Sequence, residues 1–275
     1  MAGLERRTVL KGLLASGAAA GAGAFFYGYA DERLDIQVVR SQWPLADLPP
    51  ALAGLRVGLI TDLHHGEQVS VEQVRRAAAL LLAEAPDLIV LGGDYINRGE
   101  FQFAEPCAEA LSALEAPHGV FAILGNHDDD RHVPAALRRR QFEVLSDART
   151  ERTIRGERVA IAGIRFWTWG RGSVGRAVGP SPHRTVLLAH DPRRLVEAAD
   201  LGVAGVLSGH THGGQIVLPL LGSPIARQYP VLQGLAYRQE TTLFVSRGVG
   251  TVLIPLRLNC PPDVSVLTLA SRPTV

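Results

Sequence analysis

The sequence predicts an α/β fold in the form of a four-layer sandwich, in which two mixed β-sheets pack face to face and are flanked by helices. Apolar segments alternate with amphipathic helices through the first half of the chain, as βαβ units require, and the second half is richer in strands. Five of the apolar segments are followed directly by polar clusters, at the points where strands of such a sheet give way to loops.

The elements of the first half follow from hydrophobic patterning. Strands are predicted where apolar residues run without interruption, and helices where Ala and Leu recur on one face. In order, these are a strand at 34–40, a strand at 55–61, a helix at 71–84, a strand at 87–91, a helix at 103–114 and a strand at 119–124. Strand and helix therefore alternate, which favours parallel pairing in the first sheet.

The second half contains more strands. The patterns predict a helix at 133–142, a hairpin at 153–166 that turns at Gly156-Glu157, a strand at 185–189, a helix at 193–199 and strands at 203–207, 215–218, 242–246 and 264–269. Trp167 and Trp169 are expected to alternate along a strand and pack at a sheet edge, with an aromatic wall for a substrate as the alternative.

The five polar clusters carry the residues from which function can be inferred. They are Asp62-Leu63-His64, Gly92-Gly93-Asp94, Gly125-Asn126-His127-Asp128, His190 and Gly209-His210-Thr211-His212. An α/β sheet gathers its ligands at strand ends. Packing alone does not explain imidazoles that recur at strand ends beside Asp and Asn, so we expect these clusters to form one site.

The donor atoms of these clusters favour divalent metal ions. Seven residues supply oxygen and imidazole donors without any thiolate, namely Asp62, His64, Asp94, Asn126, His190, His210 and His212. This set suits Mn, Fe or Zn and disfavours iron–sulfur clusters or structural zinc. One bridging carboxylate can hold two such ions about 3.5–4 Å apart, and a hydroxide between them can attack phosphorus in line.

Local geometry is expected to support convergence on the ions. In Asp62-x-His64 and in His210-x-His212, an extended backbone would direct both side chains of each pair to the same side. Glycines beside the ligands, at positions 92, 93, 125, 209, 213 and 214, would let the backbone turn tightly and approach the ions without a Cβ atom.

Taken together, the motifs resemble those of the calcineurin-like metallophosphoesterases. The chain is particularly similar to a bacterial branch that carries a twin-arginine or membrane-anchoring leader and the segment Gly209-His210-Thr211-His212-Gly213-Gly214-Gln215. The resemblance covers roughly residues 55–269, with all five blocks in the family's order. It implies a metal-dependent hydrolase that acts on phosphodiester or pyrophosphate bonds.

The resemblance also implies a role for each cluster. Asp62, His64 and His212 would hold the first ion, Asn126, His190 and His210 the second, and Asp94 would bridge them. His127 would reach the scissile phosphate, where it would stabilise charge in the transition state or protonate the leaving oxygen.

One block departs from the pattern of the phosphoprotein phosphatase relatives. There the block after the bridging aspartate contains a second aspartate that orients and charges the catalytic histidine, whereas this chain has Asn97. Asn97 is expected to hydrogen-bond His127 without adding negative charge, so the histidine would be less readily protonated unless Asp128 compensates. Arg98 would contact phosphate, with a surface role as the alternative, and His65 would line the cleft.

The N-terminus predicts a targeting segment. Arg6-Arg7, together with Leu10 and Lys11, precedes an uncharged stretch rich in Ala and Gly, which resembles a twin-arginine export signal. Residues 1–30 are therefore predicted to be a signal or signal anchor, and residues 31–275 one catalytic domain. The cleavage site is poor, so residues 9–30 could anchor the protein in the cytoplasmic membrane with the domain facing outward.

Export restricts the expected substrates to compounds found outside the cytoplasm. We expect a phosphorylated small molecule, lipid or envelope compound, hydrolysed in the periplasm or elsewhere outside the cytoplasm. The net charge of +1 predicts no nucleic-acid partner. Two alternatives stay open at this point: a phosphomonoesterase with the same ligands, and a non-catalytic envelope-binding module that keeps the fold.

Overall fold

The computed structural model describes residues 6–272, in which six α-helices and twelve strands are joined by loops and short 3-10 helices. The helices are α1 (Arg6–Ala30), α2 (Val71–Leu82), α3 (Ala104–Ala110), α4 (His132–Arg139), α5 (Arg171–Val178) and α6 (Leu195–Leu201). The strands are β1 (Gln37–Leu45), β2 (Arg56–Ile60), β3 (Leu88–Leu91), β4 (Val120–Ala122), β5 (Glu143–Val144), β6 (Ala148–Ile154), β7 (Glu157–Gly163), β8 (Thr185–Leu188), β9 (Gly205–Ser208), β10 (Gly234–Arg238), β11 (Thr241–Val245) and β12 (Asp263–Ser271).

The strands form two mixed sheets of six strands each. The first has the order β1-β12-β2-β3-β4-β5, and the second has the order β10-β11-β9-β8-β7-β6. In the first sheet β2, β3, β4 and β5 run parallel, while β12 pairs antiparallel with β2 and parallel with β1. In the second sheet β7, β8, β9 and β11 run parallel, with β6 and β10 antiparallel at the edges.

Three apolar clusters hold the layers together, which confirms the predicted sandwich. The middle cluster fills the space between the sheets and includes Trp43, Phe121 and Leu207. A second cluster packs the first sheet against α2, α3 and α4, and a third packs the second sheet against α5 and α6. The parallel strands are covered on both faces, which explains their uninterrupted apolar sequences.

Local sequence signals account for the element boundaries that matter here. Helix α2 begins where the Ser70 side chain accepts a hydrogen bond from the backbone N–H of Gln73, and it buries Val74 and Leu81. The β6–β7 hairpin turns at Arg155 (φ 52°) and Gly156 (φ 84°), one residue before the predicted position. Two left-handed residues in succession match the twist of the flanking strands.

Several predictions for the second half are wrong in detail. Residues 215–218 are not a strand, because only Ile216 and Leu218 form isolated bridges. Trp167 lies in a turn and Trp169 in an irregular segment, and they are 68% and 73% exposed, so they do not pack at a sheet edge. The pattern also missed α5 and β10, which are short and weakly apolar, and placed the first strand three residues too early.

The N-terminal stretch is largely a helix. Helix α1 covers most of the predicted leader, whose residues 1–5 lie outside the described part of the chain. Within residues 6–272 no helix combines the length and apolar character needed to cross a membrane, and this includes α1, where the sequence left a membrane anchor open. The division at residue 30 stays a prediction.

Candidate metal centre

Loops at the carboxyl ends of five strands bring the predicted ligands together. Asp62 and His64 follow β2, Asp94 follows β3 and Asn126 follows β4, all in the first sheet. The second sheet supplies His190 after β8, and His210 and His212 after β9. Because the parallel strands end at one edge of each packed sheet, residues far apart in sequence meet there.

The acidic and imidazole groups form three sets that could each hold a metal ion. Asp62, His64 and His212 each offer a ligand atom within 4.8 Å of the others, and so do Asp94, His190 and His210. A third set joins His64, Asp94 and His127 within the same distance.

Asp94 belongs to the second of these sets and also faces the first. Its Oδ2 is 3.6 Å from Nε2 of His64, in the first set, and 3.1 Å from Nε2 of His190, in the second. Its Oδ1 accepts a hydrogen bond of 2.8 Å from the backbone N–H of His127. One carboxylate therefore faces both halves of the cluster, which is the position a bridging ligand requires.

The spacing of the donor atoms fits divalent ions. Nε2 of His212 lies 3.5 Å from Oδ1 of Asp62 and 3.2 Å from Nε2 of His64. Ligands at ordinary coordination distances from a shared ion lie about 3.0–3.4 Å apart in octahedral or tetrahedral geometry. Asn126 Oδ1 and His190 Nε2 are buried without a hydrogen-bond partner among the described residues, and an ion at the cluster would satisfy both.

Two outer contacts fix imidazole tautomers. Nδ1 of His190 donates to the carbonyl of Gly92 at 2.7 Å, so its Nε2 faces the carboxylates. Nδ1 of His64 donates to Oδ1 of Asn97 at 3.1 Å, which leaves its Nε2 free to face the cluster. Such contacts orient metal-binding histidines and raise their basicity.

The backbone at the ligands corrects the extended geometry expected from the i, i+2 spacing. Asp62, His64, His210 and His212 all adopt left-handed conformations, with φ of 52°, 47°, 71° and 51°, and Asp94 does so as well at 55°. Each pair still faces the cluster, but through a folded rather than an extended turn. Left-handed backbone at non-glycine residues is costly and concentrates at functional sites.

Glycines are required where the backbone touches the carboxylates. A Cβ atom at Gly209 would lie 2.1 Å from Oδ2 of Asp62, and one at Gly125 would lie 2.1 Å from Oδ1 of Asp94. Neither glycine has a positive φ, so close approach rather than turn geometry explains them. The predicted close approach without a Cβ atom is therefore confirmed at these two glycines, and the predicted tight turn is not.

Electrostatics at the cluster favour cation binding. Burial lowers the pKa of His64 to about 4, so its imidazole is neutral near pH 7. Burial alone would lower the pKa of His190, but the charges of Asp94 and Asp62 outweigh it and raise that pKa to about 10. A proton on His190 thus faces the carboxylates of Asp94 and Asp62, at the place where a metal ion would bind.

Of the three predicted substrate contacts, two lie beside the cluster. Arg98 is exposed, and its Nη2 donates to the carbonyl of Asn126 at 2.8 Å. Asn97 contacts His64 and Glu100, not His127 as expected. His65 does not join the cluster, because it is buried with Nδ1 donating to the carbonyl of Val69 at 2.8 Å.

His127 and its neighbour Asp128 take different roles. Nδ1 of His127 accepts the backbone N–H of Arg98 at 3.3 Å, which assigns its proton to Nε2. Burial lowers the pKa of His127, so the ring is mainly neutral at pH 7. Asp128 does not compensate for the missing charge, since its carboxylate accepts the backbone N–H groups of Asp94, Tyr95 and Gly125 and ties two ligand loops together.

Two further residues at the centre have no recognisable sequence motif. The hydroxyl of Tyr229 lies 3.1 Å from Nε2 of His210, and Arg257 is fully buried. The Arg257 guanidinium donates to the carbonyls of His212, Gly248 and Gly250, among others, beneath the Asp62 and His212 loops. A tyrosine and an arginine in loops carry no motif, although an arginine within an otherwise apolar segment is a weak indication of burial.

Comparison with known proteins agrees with this geometry. The calcineurin-like phosphoesterase family matches residues 55–214, more than half of the chain. An uncharacterized metallophosphoesterase of Bacillus subtilis, YkuE, is 29% identical over 98% of this chain and 98% of its own length. The phosphodiesterase YaeI of Escherichia coli is 31% identical over 79% of this chain and 83% of its own.

A solved structure, a dimetal phosphatase from Danio rerio, is similar over 72% of this chain and 88% of its own, with a TM-score of 0.42 and 12% identity. That likeness is too weak to bear on the site, whereas the family match and the bacterial relatives are strong. The chain therefore belongs to the calcineurin-like phosphoesterase family and is a hydrolase that acts on phosphoester bonds.

Proposed function

We propose that this protein is a dinuclear phosphodiesterase, exported from the cytoplasm, that hydrolyses phosphodiester or pyrophosphate bonds of an envelope compound. The observation that carries the proposal is Asp94, whose carboxylate faces both His64 and His190 while it accepts the backbone N–H of His127. The similarity to YaeI, named a phosphodiesterase, supports a diester over a monoester.

The proposed ligands divide into a closed half (Asp62, His64 and His212) and an open half (Asn126, His190 and His210), with Asp94 between them. Two divalent ions bound there would stabilise charge on the phosphoryl oxygens and lower the pKa of the attacking water. Their identity, Mn, Fe or Zn, is left to elemental analysis.

The chain's own contribution centres on His127. Because Nδ1 accepts from Arg98, Nε2 carries the proton and can donate a hydrogen bond to a phosphoryl oxygen. A mainly neutral imidazole stabilises charge in this way and is a weak general acid, so we favour the first of the two roles expected for it. Arg98, anchored on the carbonyl of Asn126, places a positive group at the same side.

The catalytic proposal is tested by hydrolysis of bis-p-nitrophenyl phosphate and of p-nitrophenyl phosphate with added Mn²⁺. We expect Asp94→Ala to lower kcat/KM for the diester by at least about a thousandfold, and His127→Ala by about a hundredfold, since both remove transition-state stabilisation. Activity that survives Asp94→Ala would exclude the bridging role. A preference for the monoester would favour a phosphomonoesterase, and inactivity of the metal-loaded wild type on both esters would favour a binding module.

The export proposal rests on Arg6-Arg7 with Leu10 and Lys11, which precede an uncharged stretch at residues 12–30. Changing Arg6 and Arg7 to Lys preserves the charge and should retain the protein in the cytoplasm when cells are fractionated. Unchanged localisation of that variant would contradict export by the twin-arginine route. The size of the exported protein would show whether the leader is cleaved.

A further inference from the structure

Aliphatic side chains protrude from two neighbouring loops. Leu220, Leu253 and Leu221 are 105%, 92% and 81% exposed, and Leu218 and Ile254 beside them are also exposed. We call these five residues the leucine face. Scattered exposed hydrophobic residues are common, but five large aliphatic side chains on two loops that are bonded to each other indicate an interaction surface.

The two loops form one surface because Gln215 ties them together. Its Nε2 donates to the carbonyls of Val252 and Ile254 at 3.0 and 3.2 Å, and its Oε1 accepts the backbone N–H of Val252 at 2.9 Å. The end of α1 adjoins the same surface, since the carbonyl of Gly28 accepts the backbone N–H of Arg257. Phe25 and Phe26, 53% and 68% exposed, extend the apolar area on that side.

The leucine face is joined to the metal centre at both ends of one loop. The loop that carries Leu218, Leu220 and Leu221 begins just after His212 and returns at Tyr229, whose hydroxyl contacts His210. On the other side of His210, the ring of Phe166 lies 5.1 Å away and packs against the exposed Trp167. Exposed apolar groups therefore flank the proposed ligands on two sides.

The charge around the leucine face is compatible with an anionic partner. Glu240 is the only acidic residue between positions 213 and 262 of the sequence. Arg227, in the same loop as the leucines, is exposed and forms no ion pair within the described chain. The loops that carry the five aliphatic tips contain no acidic residue, and the exposed Asp31 and Asp35 follow the end of α1. Apolar tips accompanied by arginine, on loops without carboxylates of their own, match the interface of a membrane with anionic headgroups.

We propose that the leucine face inserts into the surface of a lipid bilayer and holds the metal centre at the headgroups. The substrate is then a phosphoester whose alcohol side is anchored in lipid, a refinement that rests on the proposed phosphodiesterase function. Separate protruding tips suit insertion between lipids, whereas a second copy of the chain would require a flat, self-complementary face.

Binding is tested by sedimentation of the full chain with vesicles of phosphatidylcholine, alone or mixed with phosphatidylglycerol. We expect the wild type to pellet with vesicles, more strongly when phosphatidylglycerol is present. The double variant Leu220→Asp/Leu253→Asp should lose at least about fivefold in the bound fraction, because charged tips oppose insertion. Val196→Asp is the matched control, since Val196 is 46% exposed on α6, and it should bind as the wild type does.

Turnover of a soluble and of a lipid-anchored substrate distinguishes membrane docking from catalysis. The double variant should hydrolyse soluble bis-p-nitrophenyl phosphate at the wild-type rate, but lose at least about fivefold on phosphatidyl-p-nitrophenol in mixed vesicles. Equal losses on both substrates would overturn the docking role. The wild type could also bind vesicles through the leucines but hydrolyse neither ester. That result would support docking and contradict the proposed phosphodiesterase function.

Two further results would overturn the proposal. One is a wild type that stays in the supernatant, or a double variant that pellets as strongly as the wild type. The other is a wild-type dimer, measured by light scattering, that Leu220→Asp/Leu253→Asp converts to a monomer without any vesicle binding. That result would assign the leucine face to contact between two copies of the chain.

Discussion

The two halves of the metal centre differ in access to solvent. In the closed half, Asp62, His64 and His212 are 0%, 0% and 4% exposed. In the open half, His190 is buried but Asn126 and His210 are partly exposed, as is the adjacent His127. The difference indicates that the substrate reaches the centre over the open half, while the closed half serves chiefly to hold its ion.

Backbone strain follows the same division. All three ligands of the closed half have left-handed φ values, whereas in the open half only His210 does. Each such residue costs on the order of 1–3 kcal/mol and persists only when its surroundings impose it. Around Asp62 those surroundings include the N–H of His210 at 3.0 Å, the Thr61 hydroxyl at 2.8 Å and the close backbone of Gly248. The closed half is therefore held in its binding geometry before an ion arrives.

Among the changes that test the difference between the two halves, the largest effect should come from filling the space beside Asp62. In Gly209→Ala the new Cβ would lie 2.1 Å from Oδ2 of Asp62 and 2.4 Å from Oγ1 of Thr61, so the carboxylate must move. Displacement of a ligand by about 1 Å can cost about a hundredfold in activity, and the closed half should lose its ion. Elemental analysis and bis-p-nitrophenyl phosphate turnover would measure both effects.

Gly172→Ala, in α5, is the matched control for that substitution. The nearest atom to its added Cβ is 3.9 Å away, so both metal content and activity should stay at wild-type values. A Gly209→Ala protein with two ions and full activity would show that the closed half is not rigid.

A smaller effect is expected from removing an outer contact of the closed half. Asn97→Ala deletes the acceptor that orients His64, and loss of such a contact lowers metal affinity by about tenfold to a hundredfold. Activity titrated with Mn²⁺ should shift to higher concentration and recover at saturation. Asn97→Asp keeps an acceptor oxygen and should bind Mn²⁺ nearly as well as the wild type. A fall in kcat that saturating metal does not restore would instead place Asn97 on the substrate.

The smallest effect, counted per pH unit, is expected in the open half from the proton that His190 must release. The metal-free His190 has a pKa raised to about 10 and so carries a proton at neutral pH, which an ion must displace. Below that pKa, metal affinity should rise by about tenfold per pH unit for each proton released. Calorimetry in buffers of different ionisation enthalpy would count the protons, and affinity independent of pH between 6 and 9 would contradict this origin.

Part of the site could be predicted from the sequence. The proposed ligands could be singled out because each follows an apolar segment, and parallel strand ends meet in any such sheet. The sequence could not reveal the left-handed turns at Asp62 and His64, because an extended pair and a folded pair have the same i, i+2 spacing. Nor could it assign Asn97 to His64 rather than His127, since both histidines lie within reach of one loop.

The failures outside the centre have a common physical origin. The apolar residues at 215–218 fit a strand pattern, but Gln215 has a φ of 52° and uses its side chain to tie two loops, which leaves Leu218 exposed. The two tryptophans were expected to pack at a sheet edge because they too alternate as residues of a strand do. Hydrophobic patterns predict burial within the chain and do not distinguish it from burial against something else.

The proposed dinuclear centre requires seven residues that hold two ions, one in each half. The most direct test is anomalous diffraction from crystals of the full chain grown with Mn²⁺. We predict two peaks about 3.5–4 Å apart, one beside Asp62, His64 and His212, the other beside Asn126, His190 and His210, with Asp94 between them. A single peak, or two peaks without Asp94 between them, would contradict the dinuclear centre.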